Sequence, residues 1–268
     1  MTRGTPPIPA LRPSLWALCL LGKLGSGHAE EDIHLTAGLK TWLSNWTSWG
    51  VDQTVYNGAS FGTISPLDGG ASTSVIPQLS LRYGTWLLST SYMTSTSYDL
   101  SSAQPVGPLR NVRASRREVD GNVGYYVIPE LAVTVGYKKL DQDVGGTFSW
   151  SGPTVGLTGS APMGLTGLGA YGTLGYGVFR LNAPASSADA NGRTQFNASY
   201  LNAELGLAYS FRERFTVTLG YRSQTVRTSG YALGSVSLTN PAPAQPYAAT
   251  QLTDFTQGPT LGLAATLF

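Results

Sequence analysis

The chain has 268 residues, 33 of them glycine, 14 tyrosine and 6 tryptophan, and only 12% are charged. That composition disfavours disorder, which needs high charge and few aromatics, and suits a single β-rich domain of ordinary size. A formal net charge of +2 carries no basic excess of the sort that nucleic acid would require.

Residues 1–29 read as a secretory signal. Arg3 and Arg12 lead, "SLWALCLLG" is apolar, and "GSGHA" supplies small residues at Gly27 and Ala29 for cleavage, although Lys23 after the apolar run is atypical. No later segment approaches the roughly 20 continuous apolar residues of a membrane-spanning helix, so a chain that crosses a membrane does so as strands. Cys19 is the sole cysteine and lies inside the signal. The mature protein, residues 30–268, is therefore expected to have no disulfide, no thiol chemistry, no cysteine-bound metal and no cofactor. Loss of Arg3, Arg12 and Lys23 takes the 17 basic residues to 14 against 15 acidic ones, a formal net charge of −1.

Apolar and polar residues then alternate in ten runs, at about 33–49, 74–82, 85–98, 116–127, 131–141, 147–160, 166–181, 197–211, 215–227 and 255–268. Alternation is the pattern of strands whose two faces meet different media. Tight turns at Tyr83-Gly84, Ile128-Pro129-Glu130, Ala161 to Leu165 and Arg212-Glu213-Arg214 take turns with longer connections rich in Gly, Ser, Pro and Asn. Those longer stretches are 51–73, 100–115, 183–196 and 229–254, with "QDVGG" after Asp141 the shortest of the set. Short turns at one end, long loops at the other and an even strand count are the organisation of a transmembrane barrel.

With a signal, alternating strands, asymmetric loops and a terminal Phe268, the mature chain resembles Gram-negative outer-membrane β-barrel proteins. The resemblance implies an all-β, single antiparallel up-and-down transmembrane barrel of about ten strands, with eight and twelve as the bounds. It also implies an outer-membrane address, lipid and lipopolysaccharide as partners, and assembly machinery that engages the C-terminal strand; nucleic acid is not a partner, and oligomeric state is left open. One departure concerns that last strand. Counting back in twos from Phe268 gives Thr266, Ala264 and Gly262, whereas Leu267, Ala265, Leu263 and Leu261 are the apolar set, so a bulge or a weak assembly signal is expected.

In such a barrel the apolar face looks to lipid. The proposed lipid faces include Leu35, Ala37, Leu39 and Leu43; Val75, Leu79 and Leu81; Val123, Tyr125 and Val127; Leu131, Val133, Val135 and Tyr137; Leu168, Ala170, Leu174 and Tyr176. None carries a charge in mid-strand, and the outward charges Lys139, Arg180 and Arg227 fall at the long-loop ends, at the level of lipopolysaccharide phosphates. A soluble all-β secreted protein is the alternative fold, with inside and outside exchanged.

Register follows from keeping the apolar faces on one side, because a slip of one residue would turn a strand over. Phe211 then opposes Phe215 and sets Glu204 across from Arg222, and the turn at Pro129 sets Asp120 across from Lys138. Both pairs are expected to be lumenal ion pairs worth about 0.2–1 kcal/mol each, with Lys40, Arg82 and Glu118 sharing the inward parity. They read either as a gate or selectivity element or as a plug that fills a narrow barrel.

For catalysis, His34 is the sole mature histidine and sits near the short-turn end of the first strand. Outer-membrane proteases, lipases and acyltransferases of barrel form use a histidine at an external or lipid-facing site, which His34 does not supply. A general base would have to be a carboxylate such as Asp52, Asp68, Asp99 or Asp254 at the external loops or their edges. No zinc, phosphate-loop or calcium-loop spacing occurs. Trp42, Trp46 and Trp49, with Tyr56 and Phe61, form a candidate aromatic platform for a sugar or apolar ligand, the alternative being rim packing. The functional expectation is a non-enzymatic surface barrel with long external loops and a narrow, ion-paired lumen. A narrow channel for small or apolar solutes and a carboxylate-based barrel hydrolase are the alternatives.

Overall fold

A computed structural model describes the backbone of residues 33–56, 59–102, 110–212, 214–237 and 245–268, with side chains described over all but 50–65, 102, 110, 233–237 and 245–250 of them. The signal assigned to 1–29 lies outside this range. The strands are β1 (Ile33–Tyr56), β2 (Ala59–Gly69), β3 (Ser72–Tyr83), β4 (Trp86–Ser102), β5 (Arg110–Ile128), β6 (Leu131–Asp143), β7 (Thr147–Pro162), β8 (Leu168–Asn182), β9 (Gln195–Phe211), β10 (Phe215–Ser237) and β11 (Gln245–Thr266). Every neighbouring pair is antiparallel, and β11 pairs with both β10 and β1, which closes the sheet into a ring.

The ring has ten staves, because β2 and β3 are two parts of one. β3 pairs with the first half of β1 as far as Ser44 opposite Ser72, and β2 takes over from Thr47 opposite Asp68. Two residues of β1 face three of the partner between those points, so one extra residue bulges at Gly69 to Ala71. Ten staves is the number that the alternation predicts.

The four tight turns fall where expected, on the side of both Ile33 and Phe268. Gly84, at φ 54°, supplies the left-handed residue of the β3–β4 turn, where a Cβ would be strained. Arg212, at φ 49°, does the same between Phe211 and Phe215, which pair directly.

The long connections differ from their reading as loops. β1 and β2 pair as antiparallel strands from Thr47 opposite Asp68 to Tyr56 opposite Ala59, β4 continues to Ser102 and β5 begins at Arg110, and β10 and β11 together occupy most of 229–254. In these outer segments the apolar residues change sides: Leu67, Leu100 and Leu252 are buried inside while Asp68, Asp99 and Gln251 are exposed, so backbone pairing continues after the lipid-face pattern that would reveal it has stopped.

The faces are those of a membrane barrel. Leu39, Leu79, Val123, Val135, Leu174, Leu207, Leu219 and Leu263 are all exposed on the outer wall, and Leu205 reaches 69% exposure. The opposite parity, with Lys40, Ser80, Glu118, Lys138, Glu204 and Arg222, is buried inside. A water-soluble β-protein would bury the first set, so the alternative of inverted faces is corrected. Trp86 meets Tyr125 edge to face, and Phe211 stacks on both Tyr209 and Phe215, at the short-turn rim of the belt, the place of an interfacial aromatic girdle.

Of the two alternatives for the last strand, the bulge is absent. Its register with β10 is unbroken from Ala265 to Phe255, and with β1 it keeps the same offset on either side of Pro259 and Gly258, so it contains no bulge there. Leu267 and Phe268 lie past the strand, both more than half exposed. Leu267 N–H donates to Leu35 and Leu35 N–H to Phe268, which carries the ladder to the last residue.

Leu205 lies mid-belt. Leu205→Arg should lower the unfolding free energy in lipid by about 2–4 kcal/mol, measured by denaturant titration in vesicles, whereas the same change at the exposed rim residue Leu165 should cost well under half as much.

Candidate functional site

The lumen is divided by height. Toward the short turns its walls carry Thr36, Ser80, Thr134, Thr158 and Thr218, which surround a cavity of about 210 Å3. Its roof is made by Lys40, Asp120, Lys138, Glu204 and Arg222. That volume is below the ~300–1,000 Å3 of ordinary ligand pockets.

Glu118 on β5 is the hub of the roof. One carboxylate oxygen accepts from Arg116 Nε at 3.0 Å and Nη2 at 2.8 Å, and the other meets Lys138 Nζ at 2.7 Å, Gln224 Nε2 at 3.0 Å and Arg222 Nη2 at 3.3 Å. Arg116 also donates to Gln224 Oε1 at 2.6 Å and to Thr256 Oγ1. These partners come from β5, β6, β10 and β11, so one buried carboxylate ties opposite walls together. Lys138 reaches Asp120 as well, at 3.1 Å, and its ammonium lies over the Tyr200 ring.

Glu204 forms a second centre. Its carboxylate accepts from Lys40 Nζ at 2.8 and 3.0 Å, Tyr171 Oη at 2.7 Å and Thr260 Oγ1 at 3.2 Å. Glycines make this convergence possible. A Cβ on Gly220 would collide with Tyr171 Oη and come within 2.9 Å of Thr260 Oγ1, the two hydroxyls that Glu204 accepts from.

Both predicted register pairs occur: Asp120 opposes Lys138 and Glu204 opposes Arg222. Only the first makes direct contact. The expected Glu204–Arg222 ion pair is corrected: Lys40, Tyr171 and Thr260 occupy Glu204, and Arg222 turns to Asn202 at 3.1 Å, to Glu118 and to the face of Trp42. In so narrow a barrel, side chains from non-adjacent strands approach as closely as hairpin neighbours do. Arg82 stays apart at the short-turn end, over the Tyr126 ring at 4.4 Å and bonded to Gly84 O. His34 is opposite it in register, at that same end.

Above the roof the lumen is filled. Leu140, Phe148, Trp150, Phe179, Leu181, Phe196 and Leu252 form one buried apolar cluster, and Trp46, Tyr98 and Leu100 form part of another. The aromatic-platform expectation is corrected here. Trp42 and Trp46 are fully buried, their indoles bonded to Gly258 O and Asp254, and Trp49 packs against Phe148 and Tyr231. Tyr56 and Phe61 lie outside the described side chains.

Asp254, expected at a loop edge, is instead buried within β11. It accepts from Trp46 Nε1 at 3.1 Å, Ser48 Oγ at 2.8 Å and Trp49 Nε1 at 2.9 Å. It marks a fork: Thr47 opposite Phe255 is the last rung between β1 and β11 before each continues with its other neighbour. Sequence reasoning missed Arg116, Gln224, Tyr171 and this role of Asp254; the inward parity of Arg116 and Gln224 was the one available signal. Asp68 and Asp99 are exposed, and the side chain of Asp52 lies outside the described set. Among the described residues no group of three or more His, Cys, Asp or Glu side chains could hold a metal.

At the outer mouth, Asp189 accepts from Arg193 Nε and Nη2 at 2.9 and 2.6 Å and from the N–H groups of Asn191, Arg193 and Ala232. Burial alone would raise its pKa, but the Arg193 side chain and these N–H donors outweigh burial and hold it below the ordinary carboxylate range.

The same shape occurs in solved structures. The outer-membrane protease OmpT of Escherichia coli superposes with a TM-score of 0.56 over 89% of this chain and 98% of its own, at 11% identity. The fold is that of an outer-membrane β-barrel. OprG of Pseudomonas aeruginosa, an outer-membrane protein, aligns over 89% of this barrel and 97% of its own chain at 13% identity and TM-score 0.38. The toluene transporter TodX of P. putida covers 89% and 90% at 10% identity and TM-score 0.30. Identities this low carry no residue roles onto the barrel, and a shape shared with a protease assigns no activity. Neither a protein-family model nor a curated protein matches the sequence.

Two outcomes follow from this geometry. Glu118→Gln leaves three buried cations short of their shared anion and should destabilise the barrel by about 3–5 kcal/mol, read as a lowered denaturation midpoint in vesicles. Because the Asp189 carboxylate has a depressed pKa, its hold on the 185–193 loop is complete above the unfolded-state value near ~4. That hold is lost as pH falls through the lower folded value, so amide exchange in this loop, corrected for its intrinsic pH dependence, should accelerate only in acid.

Proposed function

We propose that the chain is a non-enzymatic barrel of the Gram-negative outer membrane, exported by its N-terminal segment, whose extended outer strands and loops contact ligands or surfaces. Its lumen acts as a rigid core and does not conduct. The observation that carries this reading is the double obstruction above the small polar cavity, where the Glu118 network spans the barrel and a packed apolar cluster lies over it.

A filled lumen suits a scaffold that displays its outer end, because a plugged barrel resists deformation where loops must be held in place. A hydrolase finds less support, since buried Asp254 is committed to three donors and Asp68 and Asp99 are exposed.

Planar-bilayer recording of the purified full chain tests the reading. No discrete conductance steps are expected. Steps that appear with the parent chain and vanish on Glu204→Gln or Arg222→Gln would assign it instead as a channel.

A further inference from the structure

The charges around the lumenal cavity do not cancel. Lys40, Lys138 and Arg222 line it with only Asp120 and Glu204 against them, and Arg116 and Glu118 behind that layer form a pair of their own. Asp254 stands farther out, committed to Trp46, Ser48 and Trp49. One positive charge is therefore left over where Lys40, Lys138, Glu204 and Arg222 are all at least nine-tenths buried. Burial makes such an excess costly. At the short-turn end Arg82 adds a further cation below the cavity.

Donors at this level also exceed acceptors. Glu204 takes two bonds from Lys40 Nζ, an ammonium with three N–H groups. Arg222 donates through Nε and Nη2, and its Nη1 makes no hydrogen bond to any described residue. Thr218 lines the same cavity, and its buried Oγ1 has no partner among the described residues. It shares a rung with Lys40, since Lys40 is opposite Gly262 and Gly262 is opposite Thr218. Adjacent strands are about 4.8 Å apart, so the two residues are rooted roughly 10 Å apart with no side chain between them. A Cβ on Gly262 would collide with Thr218 Oγ1, which places the hydroxyl over that glycine, on the side of β1.

We propose that this chamber binds a small monocarboxylate, its carboxylate seated between Lys40 and Thr218 beneath Arg222 and its short body directed toward the hydroxyls of Thr36, Ser80 and Thr158. The carboxylate accepts from the ammonium, the hydroxyl and the guanidinium, and such charge-assisted hydrogen bonds are the strong ones. A single negative charge matches the excess, whereas a dicarboxylate overshoots it. A volume of about 210 Å3 limits the ligand to a handful of non-hydrogen atoms. With the roof closed above, entry is from the short-turn end, past Arg82. That one-ended access rests on the non-conducting lumen proposed above, the seat itself does not, and bound ligand and conductance are separate readouts.

Equilibrium dialysis of the folded full chain in detergent against radiolabelled lactate tests the site, with lactamide as the uncharged analogue of the same shape and chloride as an anion without a body. Saturable binding of lactate is expected, displaced neither by lactamide nor by chloride at equal concentration. Thr218→Val keeps the side-chain shape and removes the hydroxyl, and should weaken lactate about tenfold, the loss of one hydrogen bond to a charged group. Lys40→Gln with Glu204→Gln keeps the local charge and removes the ammonium. It should weaken lactate at least as much, so the result does not depend on a single variant, and heat-modifiable gel mobility reports whether each variant is folded. Thr41→Val, which changes a hydroxyl on the outer wall, should bind lactate as the parent chain does. Absence of saturable lactate binding, displacement by lactamide or by chloride at equal concentration, or unchanged affinity in both folded site variants would overturn the proposal.

Discussion

Closure of β11 onto β1 is the constraint on which the remaining features depend. In hydrocarbon an unpaired backbone amide has no water to turn to, so a sheet can span only if its first and last strands meet. Once they meet, alternation divides the side chains into an outer set that faces lipid and an inner set that must fill a narrow tube. The interior polar groups are then obliged to satisfy one another, and they do so through Glu118 and Glu204, each shared among several donors from different walls.

Height along the barrel decides how the interior is filled. Near the short turns, threonines, serines and glycines leave a small cavity; at mid-height charges bridge the walls; beyond them aromatic and aliphatic side chains pack as in a soluble core. Where the outer wall has left hydrocarbon, β1 and β11 part company at Thr47 and Phe255, and Asp254 binds Ser48 and two indoles at that fork. A carboxylate with three donors at the parting of two strands holds the branch in one geometry.

The outer wall has a matching gradation. The exposed apolar side chains Val135 and Tyr137 on β6, Leu157 and Val155 on β7, and Tyr176 and Val178 on β8 give way to Lys139, Ser151 and Arg180 within a few residues. An apolar belt bounded by polar and cationic residues is the outer-wall pattern of a barrel fold whose strands span a membrane.

Much of this was legible in the alternation. Ten staves, the lipid face of each, the short-turn side, and the registers that oppose Glu204 to Arg222 and Asp120 to Lys138 all follow from a period of two residues and the rule that a one-residue slip inverts a strand. Backbone pairing is a local matter between chain neighbours. The destination of a lumenal side chain is not: Glu204 passed over its register partner for Lys40 on β1, and Arg222 crossed to Glu118 on β5, because barrel curvature brings distant strands within a side chain's length. The tryptophans of β1 became core for the same reason, since only the closed ring shows what stands opposite them. The strands' extension beyond the belt stayed hidden as well, because there the apolar residues lie inside and the outer face is polar, so the lipid-face pattern ends while the hydrogen-bonded ladder goes on.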